Sequence, residues 1–218
     1  MWNNEASGMH WRGIGSIAPN INTAYTYPDW FGNYIHDCFR HMGYRGDQEP
    51  AMIGPGDDYA RFMFNVCWDN GWLASYGLDI PGSGEMTDGA GYHPGGLVCD
   101  GGDDCLVAYN VIGKGRSAAF TVNPDDKAQT AYLVYNNIVI DMGEDKGDQV
   151  YGNGTKGRHC FLHVRAESTG GYDAEGIQAL FNTCSSCEWE GDNGSDAAVN
   201  IVFRNNDKTA DITSKYNV

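Results

Sequence analysis

Apolar and polar positions in this chain are grouped in short phrases rather than along a helical stripe. "RFMFNVC", "LVAYNVI", "YLVYNNI", "IQALFNTC" and "NIVFRNN" each hold a brief apolar run, an asparagine, and in most cases a second apolar run. Runs this short, rich in Val, Ile, Phe and Tyr and punctuated by Gly, Asp and Asn, predict β-strands joined by tight turns. The closing asparagines are Asn65, Asn110, Asn136, Asn182 and Asn205, separated by 45, 26, 46 and 23 residues. Halving the two long separations gives a single period of roughly 23 residues, with two copies lacking the Asn near positions 88 and 159. The residue before the Asn is Phe64, Tyr109, Tyr135 and Phe181 in the first four copies, and Cys67, Ile112, Ile138 and Cys184 follow two residues after it.

Such a period, built from short strands, predicts a solenoid whose coils stack about 4.8 Å apart, so that equivalent residues form ladders. Asn suits a corner of each coil. It tolerates a left-handed backbone, and its amide can bond its counterpart one coil away. The aromatic and Ile/Cys columns are then expected in or against the core. Leucine-rich repeats share the period but need a regular Leu pattern, which is absent.

The repeat resembles the right-handed parallel β-helix superfamily, the architecture of pectate lyases, polygalacturonases and many phage tailspikes. The resemblance covers about residues 30 to 206 and implies an all-β fold, a right-handed parallel β-helix with coils of about 23 residues. Residues 1–218 are expected to form a single β-helix domain. "MWNNEAS" and "ITSKYNV" both read as strand phrases with no capping element, so the expectation is a segment of a longer chain or a subunit with covered ends.

Charge narrows the functions open to this fold. Asp+Glu 29 against Lys+Arg 14 gives a net charge of -15, which argues against nucleic acid or any other polyanion as partner. No apolar run is long enough to span a membrane. No basic start with an apolar stretch marks a signal peptide, while Asn153-Gly154-Thr155 and Asn193-Gly194-Ser195 permit glycosylation.

Acids recur along the chain, at Asp57/Asp58, Asp79, Asp103/Asp104, Asp125/Asp126, Asp148, Asp173 and Asp196. Stacked coil upon coil they would form an acidic stripe, which calcium could bridge; Asp57, Asp58, Asp103, Asp125 and Asp126 are the ligand candidates. "GGDDC" resembles the Gly-Asp-Asp element of polygalacturonases, which implies Asp103 and Asp104, with Asp79, as catalytic carboxylates. One coil later "NPDDK" stands where that family has Gly-His-Gly, and its Arg-x-Lys element is missing. A lyase would instead use Lys114 or Arg116 of "GKGRS" as base, and His93 in "GYHPGG" is a further catalytic candidate. Trp68, Trp72, Tyr76 and Tyr92 are candidates for stacking on sugar rings.

Seven cysteines form no zinc or haem motif. Cys99 and Cys105 bracket "CDGGDDC" and are the expected disulfide; Cys160 and Cys184 could stack or bond. His36 and His41 show no metal-ligand spacing. The function expected is a secreted protein that binds or cleaves a polysaccharide along its long face, with calcium as its ion. The alternative is a non-catalytic solenoid module, a tailspike, adhesin or filament subunit with homo-oligomeric neighbours.

Overall fold

The structure is a computed structural model that describes residues 2–8, 14–15, 29–38, 52–55, 59–70, 96–100, 103–114, 119–123, 129–141, 162–165, 174–185, 201–204, 209–210 and 213–218. Among these residues there are strands and no helix. The strands build three six-stranded parallel sheets and one small three-stranded sheet. Sheet A stacks β3 (Asp29–Phe31), β6 (Arg61–Met63), β9 (Leu106–Ala108), β13 (Leu133–Tyr135), β17 (Gln178–Leu180) and β21 (Thr213–Lys215). Sheet B stacks β1 (Glu5–Ser7), β4 (Tyr34–His36), β7 (Val66–Trp68), β10 (Val111–Gly113), β14 (Ile138–Ile140) and β18 (Thr183–Ser185).

Sheet C stacks β2 (Ile14–Gly15), β5 (Met52–Pro55), β8 (Leu97–Asp100), β11 (Phe120–Asn123), β15 (Leu162–Arg165) and β19 (Ile201–Arg204). The small sheet holds β12 (Gln129–Thr130), β16 (Ala174–Glu175) and β20 (Thr209–Ala210). The chain visits A, B and C in turn and then returns to A beside its previous pass. This is an all-β arrangement of parallel strand stacks, consistent with a β-solenoid.

Three-residue strands suffice because, away from the C-terminal end, the middle residue points inward. In sheet A those are Trp30, Phe62, Val107, Val134 and Ala179, all buried; in sheet B they are Ile35, Cys67, Ile112 and Val139. Leu97, Phe120, Val122 and Leu162 close the core from sheet C, and Ala60, Cys105, Tyr132 and Ile177 close it from the turn into sheet A. The Trp30 and Phe62 rings stack with centroids 5.7 Å apart, worth about 0.5–1.5 kcal/mol beyond their burial.

Register revises the expected column. Ile112 pairs with Cys67 on one side and with Val139, not Ile138, on the other, and Val139 pairs with Cys184. Ile138 is exposed, because a one-residue shift along a strand moves a side chain to the opposite face. The doublet Asn136-Asn137 is the source of the shift: Asn137 occupies the position equivalent to Asn110, not Asn136.

The spacing of the coils is likewise not uniform. Successive asparagines in contact are separated by 29, 32, 45, 27, 45 and 35 residues. Asn65 bonds Asn110 directly and β6 pairs directly with β9, so no Asn-less coil stands between them. Nor does one stand between Asn137 and Asn182. "NIVFRNN" belongs to sheet C through β19, and Asn205 lies outside the described residues; Asn217 takes the expected place in the ladder.

Candidate functional site: the asparagine corner and its aromatic ridge

Sheets A and B meet at a two-residue corner in every described row: a residue with positive φ, then an asparagine. The positive-φ residues are Asn3, Gly32, Phe64, Tyr109, Asn136, Phe181 and Tyr216, with φ between 51 and 65°. The asparagines are Asn4, Asn33, Asn65, Asn110, Asn137, Asn182 and Asn217. The left-handed turn is thus made by the residue before the ladder Asn, and the Asn itself is kept for its amide.

That amide is fully used. In the middle of the stack, Asn110 Oδ1 accepts from both the backbone N–H and the Nδ2 of Asn65, at 2.9 and 3.0 Å. Asn110 Nδ2 donates in turn to Asn137 Oδ1 at 3.0 Å and to the Phe62 carbonyl at 2.9 Å. Asn137 and Asn182 repeat the pattern against Val107 and Val134. These side chains are buried, where a satisfied network strengthens and an unsatisfied amide is costly.

An aromatic ridge runs along the outside of the same corner. Trp2, Phe31, Phe64, Tyr109, Tyr135, Phe181 and Tyr216 contact in sequence, with centroids 4.9 to 5.8 Å apart. Phe64 and Tyr109 lie 5° from parallel. The aromatic residue occupies the left-handed position itself in four rows. Where Gly32 or Asn136 stands there, the preceding residue, Phe31 or Tyr135, supplies the ring; Trp2 does so before Asn3. A bulky residue at positive φ costs about 1–2 kcal/mol, so keeping a ring in every row opposes the backbone preference of Phe64, Tyr109, Phe181 and Tyr216. Six of the seven rings are exposed, from 36% at Phe31 to 70% at Tyr216, and Tyr135 is half-buried. Of the two places expected for them, in or against the core, the rings thus take the outer one.

The other proposed site residues divide into those on the structure and those beyond it. Asp57, Asp58, Trp72, Tyr76, Asp79, Tyr92, His93, Arg116, Asp125 and Asp126 lie outside the described residues, as do His41 and Cys160. Asp103 is half-buried and Asp104 exposed, in the turn that leads into β9. Asp104 sits at positive φ, 53°. The equivalent positions in other coils are Tyr59, Ala131 and Gly176, each preceding a buried residue whose carbonyl joins the sheet A ladder. At this corner Asp104 is flanked by Tyr59 and Ala131, and the other acids of the expected stripe lie outside the described residues.

Lys114 lies at the far end of β10, two strands from Asp104, with its Nζ 6.0 Å from the centre of the Trp68 ring. Trp68 is half-buried and lies over Gly113, where an added Cβ would overlap its ring. The fold does not bring Lys114 together with Asp103 and Asp104. Among the described residues no group of three or more His, Cys, Asp or Glu side chains is placed to hold a metal.

Cys105 is buried and not disulfide-bonded, as are Cys38 and Cys67, so the expected Cys99–Cys105 disulfide is not formed. Cys99 belongs to β8 in sheet C, whereas Cys105 precedes β9 in sheet A, and its Sγ faces the Asp103 carbonyl at 3.7 Å. Cys184 is half-buried and disulfide-bonded. Burial pushes the Cys67 thiol far above its usual pKa, and neighbouring Cys38 adds to the shift.

Two charge clusters flank the ridge. Arg61 makes a bidentate pair with Asp29 one coil away, at 2.7 and 2.8 Å. His36 Nδ1 lies 2.6 Å from Asp37 and Nε2 3.1 Å from Glu5 of the adjacent coil. The hydrogen bond to Asp37 and then that to Glu5 raise the His36 pKa. No sequence signal singled out Glu5 or Asp29, because each acquires its partner only through stacking. The chain matches no protein-family model, no curated protein and no solved structure.

Proposed function

We propose that the chain is a stretch of right-handed parallel β-helix, similar to the pectate lyase and polygalacturonase superfamily, that serves as a non-catalytic structural rod in a secreted or surface assembly. The observation that carries this reading is the asparagine corner. Its repeated polar groups are spent on bonds between coils, in the manner of a scaffold, and are not turned toward a ligand. Incubation with a broad glycan panel, uronate polymers included, tests it: neither reducing ends nor unsaturated products should accumulate. Cleavage that is lost in Asp104→Asn would replace this reading with the catalytic one.

A second reading, a polysaccharide-binding face, is favoured by the Trp68–Lys114 pair. It stands at the edge where residues 71–95 begin, the segment that carries Trp72, Tyr76, Asp79, Tyr92 and His93. Calcium belongs to this reading. A fall in melting temperature on adding EDTA, reversed by calcium alone, would support it, since a metal bound only by the native state stabilises that state.

A further inference from the structure

The A–B corner is two residues long in all seven described rows, whereas the coils themselves differ by up to 18 residues, from 27 to 45. All of that length variation enters elsewhere in the coil, so no insertion interrupts the corner. In the middle rows its flanks are apolar. Leu106, Leu133 and Leu180 face outward from sheet A, and Val66, Val111 and Ile138 from sheet B. Toward the N-terminal rows the charges beside it are paired, Asp29 with Arg61 and Glu5 with His36, while the C-terminal rows carry polar Gln178, Thr183 and Thr213 and the exposed Lys215 beside Tyr216. A chain of net charge -15 thus carries a strip with a ring in every row and uncharged flanks in its middle rows.

We infer that this strip is an interface between two copies of the chain, packed side by side along their aromatic ridges. Four physical arguments support a second copy as the occupant. First, the strip is periodic, with rows about 4.8 Å apart, and a second copy presents the same period by construction, so that rings can interleave over the whole length. Second, six steps of that pitch and two short strand faces give roughly 600 Å² per copy, of the order of the ~800 Å² that each partner contributes to a standard interface. Third, in the two stacked pairs, Phe64–Tyr109 and Phe181–Tyr216, the rings cover each other's faces and offer mainly edges, while Tyr135 meets both its neighbours edge to face. A sugar ring stacks on a face, whereas an opposing aromatic ring accepts an edge. Fourth, the bulky residues at positive φ hold a strained backbone in four rows, and strain that recurs in this way points to a role beyond folding.

The inference extends the structural-rod reading to a partner, and its test is independent of that reading. Sedimentation velocity on the 218-residue chain should show a species of twice 23.8 kDa at micromolar concentration. Added salt should tighten it, because copies of like charge repel. Phe64→Asn, Tyr109→Asn and Phe181→Asn combined should weaken the dimer by about 100-fold or more while leaving the far-ultraviolet circular dichroism unchanged, since Asn136 already occupies this corner in the native chain. Ile138→Lys, on the exposed flank, should dissociate it as well. Tyr59→Asn is the control: Tyr59 is an exposed aromatic at positive φ on the other corner, and its loss should leave association unchanged.

A wild-type chain that stays monomeric, or a triple variant that dimerises as tightly as wild type, overturns the proposal. So does equal dissociation by Tyr59→Asn, which would mark non-specific apolar association. A monomer retained on an immobilised neutral glucan, with retention lost in the triple variant, would make the ridge a sugar-binding face instead. Glycan cleavage by the wild type would overturn the structural-rod reading and leave the sedimentation result untouched.

Discussion

Two corners of the same coil make the same backbone demand and meet it with different residues. At the corner between sheets A and B, a positive-φ residue is followed by Asn in every described row, and a ring accompanies it. At the corner leading into sheet A, the positive-φ residues are Tyr59, Asp104, Ala131 and Gly176, which share no chemistry. The difference lies in what each side chain touches. The A–B asparagine bonds its own copy one coil away, so a change in one row orphans groups in the next. At the other corner the inward function falls to the following residue, and the positive-φ side chain is left to tolerate its backbone. Repetition of residue type thus marks self-stacking, while repetition of backbone alone does not.

The largest expected effect breaks the first corner and spares the second. Asn110→Ala removes the acceptor of two Asn65 donors and leaves buried groups unpaired, so it should cost about 3–5 kcal/mol in chemical denaturation. Asp104→Asn, at an exposed left-handed position that Asn also tolerates, should cost under about 0.5 kcal/mol. Equal losses at the two sites would erase the distinction. Next in size is the column beside the ladder. Ile112→Ala should cost about 2–4 kcal/mol through the cavity it leaves, and Ile138→Ala, one residue out of that column, under about 1 kcal/mol. Reversal of the two values would return Ile138 to the core.

A smaller effect is expected on the ridge. In the monomer, Tyr109→Asn relieves the left-handed strain, about 1–2 kcal/mol, and gives up ring contacts worth about 0.5–1.5 kcal/mol each. The two nearly cancel, and the net change in stability should stay below about 1 kcal/mol. A loss of 3 kcal/mol or so would make the ridge a folding element equal to the asparagines.

The smallest effect is the pH dependence of the His36 cluster. Its pKa is raised above 6.5 in the folded state by Asp37 and Glu5. The stabilisation it contributes is therefore fully present below 6.5 and lost as pH rises through the raised value. Unfolding measured from pH 6 to 9 should show this slight loss, and His36→Gln should flatten it; an opposite slope would mean that the imidazole is held neutral.

Much of the fold was legible from single phrases. Short apolar runs closed by Asn predict strands and a self-bonding corner, and Asn65, Asn110 and Asn182 stack as those phrases imply. Cys67 and Ile112 are buried as their spacing requires. Other members of the ladder were harder to see. Asn33 follows Gly32, with its ring displaced to Phe31, and Asn4 and Asn217 close phrases that resemble the repeat but stand outside the period. The 23-residue period failed because only stacked positions constrain one another. A solvated connection can lengthen a coil at a small entropic cost that grows only with the logarithm of its length.

Sequence alone therefore determined the local grammar: strand, left-handed turn, asparagine, strand, with apolar residues alternating inward. That grammar is set by sterics and by the hydrogen-bonding capacity of each residue, and both are local. Only the tertiary structure decided which copy of the phrase lies on which. It placed Asn137 rather than Asn136 in the ladder, kept Cys105 out of a disulfide, separated Asp104 from Lys114, paired Asp29 with Arg61 and Glu5 with His36, and joined the rings of different rows into one ridge. Those outcomes depend on register between coils, and register is fixed by the burial of a whole face at once, which no single phrase contains.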